Sequence, residues 1–289
     1  MEALEQKWVM ACVDGSKTSD AVVDYAAWIA QTVNSPLELV HTIEHGLLLD
    51  NTSHAGNMTP NMRENLMRDL SEEERAESKR LLEAGKEMLQ NAKARIASKD
   101  LKDLVTKQRH GSLAEALEDL EDEIRVLVLG LRGEDHEDEK KGIGSQLEDS
   151  IRALHRPIFI VNGAFSQPKS MMLAYNRTEG AKKALDMVCK SPLYKTMNVH
   201  LVHVSKTLDS AGDGLLAEAA EQLTAAGIEH KTINLVGDAQ TELMKYQDEN
   251  QLDMTVMGAF SHGKLRSLFF GSFTLKMLEH NSKPILLLR

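Results

Sequence analysis

Short apolar runs and longer helical patterns take turns along the whole chain. The apolar runs begin near Trp8, Leu37, Val105, Val126 and Ile158, and again near Met171, Val199, Lys231, Met254 and Ile285. Helical patterns fall between them, among others at Ser19 to Val33, Ser71 to Ala97, Glu179 to Cys189 and Gly214 to Ala226. Runs that are apolar almost throughout suit strands buried on both faces, and their alternation with helices predicts a parallel sheet between two helical layers.

The pattern occurs twice. Trp8 to Val13, the turn Asp14-Gly15-Ser16 and the run Leu37 to His41 are answered by Met171 to Tyr175, Asn176-Arg177-Thr178 and Val199 to His203. Asp14 and Asn176, like His41 and His203, stand 162 residues apart. Later in each half the offset falls to 127 or 128: Gly130 answers to Gly258, Gly144-Ser145 to Gly271-Ser272, and Pro157 to Pro284. The first half therefore carries extra residues, placed mostly in Gly46 to Leu70, which reads as a long loop or partly helical lid. The expected fold class is α/β, with two tandem Rossmann-like domains, each a five-stranded parallel sheet with helices on both faces. The expected domains are residues 1–162 and 170–289, joined by a linker over 163–169 that contains Gly163, Ser166, Gln167 and Pro168.

A length of 289 residues suits two domains, and 42% hydrophobic residues supply two moderate cores. The net charge of −10 disfavours phosphate backbones and anionic lipids, so neither nucleic acid nor membrane is an expected partner. Cys12 and Cys189 lie in different halves in apolar surroundings and read as free thiols of a reducing compartment. The polar start Met1 to Lys7 has no secretion-signal pattern, and no apolar run is long enough to span a bilayer. A cytoplasmic protein is expected.

In a doubly wound sheet, ligands bind beyond the carboxyl ends of the strands, where the strand order reverses. The loop after the fourth strand of the second half leaves on Gly258 and enters a helix near Gly271-Ser272. Glycines let main-chain N–H groups approach a phosphate, and a helix start adds unpaired donors and a favourable dipole. Lys264 and Arg266 add charge. Gly258 to Lys264 also has the G-x-x-x-x-G-K skeleton of a P-loop, but Leu265 stands where the magnesium-binding Ser or Thr belongs.

These residues resemble the universal stress protein family. That family has an Asp after the first strand and the motif G-x2-G-x9-G-(S/T) after the fourth, which wraps ATP phosphates in its nucleotide-binding members. In the second half Gly258, Gly271 and Ser272 match, Ser261 replaces the second glycine with Gly263 two residues on, and Asn176 replaces the acid. In the first half Asp14, Gly130, Gly133, Gly144 and Ser145 match, with a spacer of ten. The resemblance covers almost the whole chain, twice. It implies main-chain contacts to adenine at Thr42 and Val204, the residues after His41 and His203. The family's glycine near the end of the third strand is matched by Gly237, with Arg109 expected in its place in the first half. The implied ligand is ATP or a related adenine nucleotide, with Mg2+ if ATP is bound. The implied role is sensing or partner regulation under stress. The family's dimerisation through the last strand implies an intramolecular pseudo-dimer, with any further homo-oligomer built from other surfaces.

Other readings stand beside these. Asp14 and Asn176 also suit turns that cap the following helix. His41 and His203 fit buried, hydrogen-bonded histidines better than catalytic ones, and His262 reads as an exposed loop residue. Five carboxylates in Glu134 to Glu139 repel a triphosphate in the first half, so the second half is the expected site. No spacing assembles a catalytic set or a metal site, so slow ATP hydrolysis is the most enzymatic activity expected. The remaining alternatives are an interaction protein that binds no nucleotide, and a binder of another small apolar molecule.

Overall fold

The computed structural model describes residues 7–43, 60–132, 145–207, 210–259 and 272–289. The first half runs β1 (Trp8–Cys12), α1 (Ser19–Thr32), β2 (Leu37–Ile43), α2 (Pro60–Arg95), β3 (Leu104–His110), α3 (Leu113–Leu120), β4 (Ile124–Gly130), α4 (Ser145–Ala153) and β5 (Ile158–Val161). The second half repeats the order: β6 (Ser170–Ala174), α5 (Glu179–Lys190), β7 (Asn198–Ser205), α6 (Ser210–Ala225), β8 (His230–Val236), α7 (Ala239–Glu249), β9 (Met254–Gly258), α8 (Ser272–His280) and β10 (Ile285–Leu288). Each apolar run is a strand, starting within a residue or two of its expected position.

The two five-stranded sheets are continuous. Strand order is β3-β2-β1-β4-β5-β10-β9-β6-β7-β8, parallel within each half and antiparallel only where β5 meets β10. There Phe159 pairs with Leu286, Ile158 with Leu287 and Ile160 with Ile285. Phe159 and Leu286 are repeat counterparts, so the approximate twofold axis relating the halves passes between them, as in an isologous dimer interface. The final strands therefore cover each other, and neither is left as an apolar edge.

Strand side chains alternate between two layers. Val9 and Ala11 lie in the layer of α1, α2, α5 and α6, whereas Met10 lies in the layer of α3, α4, α7 and α8. Helix starts follow local chemistry. Ser112 and Glu115 form a capping box on α3, and the Asp238 carboxylate accepts the Thr241 N–H to cap α7.

Two expectations need correction. The charged helix expected from Ser71 begins at Pro60, so the end of the segment read as a long loop or partly helical lid is helical and belongs to α2: Pro60 suits a first helical position, and no Gly or Pro follows before Gly85. The counterpart of Gly237 is Gly111, not Arg109. Gly111 N–H bonds Ile43 O and Gly237 N–H bonds Ser205 O, at counterpart carbonyls. Both glycines have positive φ, +100° and +149°, the turn that carries β3 into α3 and β8 into α7.

Candidate functional site

The carboxyl edge of each half-sheet presents a main-chain pair. The β1–β2 ladder ends where Val13 N–H donates to Val40 O at 2.8 Å. Alternation along β2 then turns the N–H and C=O of Thr42 toward β1, beyond the end of that strand, while Ile43 O turns to Gly111. The second half repeats this: Tyr175 N–H bonds Val202 O at 2.9 Å, so the Val204 main chain points past the end of β6. Thr42 and Val204 thus each offer one donor and one acceptor side by side.

The turn after the first strand differs between the halves. The half-buried Asp14 accepts the Ser16 N–H at 3.1 Å, and Thr18, at the cap position before α1, makes no side-chain cap bond. In the second half the exposed Asn176 accepts from the N–H and hydroxyl of Thr178, at 3.3 and 2.7 Å, and Thr178 caps α5. Neither Asp14 nor Asn176 caps its helix, contrary to the sequence reading, because each stands ahead of the cap position and closes an Asx turn instead.

Gly130 and Gly258 end β4 and β9 against the first turn of the preceding repeat helix. A methyl group on Gly258 would lie 2.5 Å from Ala181 N and 2.6 Å from Gly180 C. A methyl group on Gly130 would lie 2.5 Å from Thr18 Oγ1. The opening glycine of the motif is thus required for strand-to-helix packing, whatever the loop behind it holds. Gly133, Gly144, Ser261, Gly263 and Gly271 lie outside the described residues, as do Lys264, Arg266, His262 and the acidic run Glu134 to Glu139. Ser145 and Ser272 are the first residues of α4 and α8.

His41 and His203 behave as structural groups. Their Nδ1 atoms donate to Val13 O and Tyr175 O at 2.7 and 2.9 Å, tying β2 to β1 and β7 to β6 at the site edge. The other side of each ring meets a helix glycine: a methyl on Gly85 would lie 2.5 Å from His41 Cδ2, and one on Gly212 would lie 3.1 Å from His203 Cδ2. Sequence reading missed these glycines, although their offset of 127 was a usable signal. It also missed two cations of the first half. Arg109, paired with Thr42 in the β2–β3 register, and Arg132, two residues beyond β4, each have a buried Nε without a hydrogen-bond partner. They bring positive charge to the half that sequence alone presents as hostile to anions.

Among the described residues no three His, Cys, Asp or Glu side chains gather to hold a metal ion, and no helix is long and apolar enough to cross a membrane. Cys12 and Cys189 are free thiols, and burial raises the pKa of both.

The sequence model of the universal stress protein family matches residues 7–162 and again 168–289. A universal stress protein of Synechocystis sp. is 27% identical over 286 residues, covering 98% of this chain and all of that protein. The crystal structure of a universal stress protein from Archaeoglobus fulgidus superposes with a TM-score of 0.73 at 18% identity, covering 99% of both chains. A putative universal stress protein from Pseudomonas aeruginosa gives 0.57 at 15% identity, covering 98% of this chain and 92% of that one.

Proposed function

The chain belongs to the universal stress protein family in both halves, and from that premise we propose that it binds ATP or a related adenine nucleotide in its second half, as a sensor or regulator of partners rather than a fast hydrolase. The observation that carries this reading is the Val204 main chain, whose N–H and C=O point past the last β6–β7 bond. A donor and an acceptor on one residue suit the edge of a purine base. Across the same edge, Gly258 leads toward the start of α8 at Ser272, where helix N–H groups and dipole favour phosphate. Asn176 supplies a neutral turn, so this half lacks the carboxylate that Asp14 places in the other. The sequence of the connecting segment adds Lys264 and Arg266, with Ser261, Gly263 and Gly271 as its small residues. Bound Mg2+ would accompany ATP by screening its phosphate charge.

Arg109 and Arg132 favour a second, weaker site in the first half, at Asp14, Thr42, Gly130, Gly133, Gly144 and Ser145. Their guanidinium groups oppose the five carboxylates of Glu134 to Glu139, and divalent metal would tip that balance toward binding.

Calorimetric titration with ATP, in chelator and then in Mg2+, tests both readings. One tight equivalent is expected in chelator, abolished by Gly271→Val, with a weaker second equivalent in Mg2+ that Arg109→Gln diminishes. Two equal equivalents in chelator, or unchanged affinity in Gly271→Val, would move the site.

A further inference from the structure

A cavity of about 390 Å3 lies on the seam between the halves, distinct from the Val204 main chain that carries the nucleotide reading, although Leu288 on its wall pairs with Gly258. It opens between α1 and α5, over the strands β5 and β10. The approximate twofold through Phe159 and Leu286 gives this groove two equivalent ends. At one end the linker fills it: the Phe165 ring lies 4.8 Å from Tyr25, edge to face, and Tyr25 also lies 5.2 Å from Phe159. The Tyr25 hydroxyl donates to Ser166 O at 3.2 Å and fixes that segment.

The cavity is the other end. Its walls include Met187 and Leu286, the repeat counterparts of Tyr25 and Phe159 at offsets of 162 and 127. Buried Tyr194 and Phe159 add aromatic surface. A socket that takes a phenyl ring in one copy is thus widened in the other by a methionine and a leucine.

Charge distinguishes the two ends further. Arg125, Lys183, Lys190 and Arg289 line the cavity; Lys190 engages the Asp186 carboxylate at 2.8 Å, and Lys183 Nζ donates one of its three N–H groups to Arg289 O at 2.8 Å. Arg125 donates to the neutral Ser35 hydroxyl at 3.3 Å, which leaves its charge uncompensated by that bond. His155, also on the wall, is held by Glu121 at 3.3 Å. In a chain of net charge −10, a cationic rim over an apolar floor is complementary to an anion with an apolar body.

We propose that the seam cavity binds an aromatic carboxylate of about a dozen heavy atoms, its ring against Met187, Leu286 and Tyr194 and its carboxylate at Arg125 and Lys183. The cavity stands at the low end of the roughly 300–1,000 Å3 usual for ligand sites, which suits one fused ring with a short acid arm. Because it bridges the halves, such a ligand stabilises their packing and couples to whatever biases that packing.

The test uses the full chain, first without nucleotide and then with ATP and Mg2+, so that its result is independent of the nucleotide reading. Naphthylacetate is titrated by calorimetry and by methyl NMR, with the Met187 signal assigned through Met187→Leu. A Kd of about 0.1 mM is expected, with a shift of the Met187 methyl, roughly tenfold weakening in Arg125→Gln, and loss of binding in Met187→Trp, which fills the socket. Arg125 is exposed, so its variant carries the test should Met187→Trp fail to fold. Naphthylmethanol, which lacks the charge, should bind about tenfold more weakly. The proposal is overturned by no Met187 shift at about 1 mM ligand, ten times that Kd, by unchanged affinity in Arg125→Gln, or by octanoate binding as tightly as the aromatic acid.

Discussion

The two halves solve the same packing problem at the end of their fourth strands with different atoms. In the second half Gly258 meets Gly180, and main chain touches main chain. In the first half Gly130 meets the side chain of Thr18, the repeat counterpart of Gly180. A glycine is needed in both, but for contacts of unequal stiffness: a threonine can rotate, whereas the first turn of α5 cannot. A motif glycine is therefore not by itself a sign of a phosphate, and the halves weigh its two uses separately.

The comparison breaks most completely if the halves are parted. Ile160 and Leu287 are 1% and 2% exposed at the β5–β10 seam. Ile160→Lys with Leu287→Lys buries two unpaired ammonium groups, at a cost of several kcal/mol. The seam should open, seen as expansion in small-angle scattering. A scattering profile identical to that of the natural chain would count against the seam as the joint.

Next in size is the glycine contrast itself. Gly258→Ala forces main chain apart and should destabilise by about 3 kcal/mol, the upper range for overpacking, whereas Gly130→Ala should cost about 1 kcal/mol as Thr18 turns aside. Thr18→Gly should rescue Gly130→Ala, and no change at residue 180 can rescue Gly258→Ala because that position is already glycine. Denaturant midpoints decide between them; equal losses would show that the contacts are equally stiff.

Much of this molecule was legible in the chain. Ten strands and their parallel sense within each half followed from near-continuous apolar runs, proline-led ends and offsets of 162 and 127, while the pairing of the last strands was what the family resemblance implied. The site was legible only as a set of positions. Thr42 and Val204 could be placed by repeat register, but the direction of their main chains depends on where β1 and β6 stop, which is a property of the ladder. Arg109 was misassigned because a count of residues along β3 does not reveal the bond from Gly111 to Ile43 that fixes the turn. The cations at Arg109 and Arg132 carry no local motif. The seam cavity depends on the twofold, and no single segment encodes it.

A third contrast lies inside the sheet. Glu38 on β2 is fully buried and paired with Lys107 at 2.7 Å, while the counterpart positions in the second half hold His200 and Ile233. The second half has in effect exchanged the ion pair for a neutral ring and an aliphatic side chain. Lys107→Met strands the Glu38 carboxylate and should cost about 2 kcal/mol, less than a fully buried pair because Lys107 is 39% exposed. Adding Glu38→Leu should recover most of the loss, as replacing both partners leaves nothing unpaired. If the double variant stays as unstable as Lys107→Met, the pair is not the source of the cost.

The smallest expected effect concerns the other member of that contrast, His200. It is 4% exposed and its Nδ1 lies 2.8 Å from the Tyr246 hydroxyl. Burial, aided by the charge of Lys231, holds its pKa below the ordinary imidazole value. The folded chain therefore keeps this ring neutral at a pH where the unfolded chain has begun to protonate it. As pH falls through about 6.5, the unfolded state binds more protons than the folded state, and stability drops until the folded ring protonates as well. Above that window the group contributes no pH dependence. Urea midpoints between pH 7.5 and 5 should fall more steeply for the natural chain than for His200→Gln, which keeps a polar partner for Tyr246 without a titrating proton. Parallel slopes for the natural chain and His200→Gln would place the titration elsewhere.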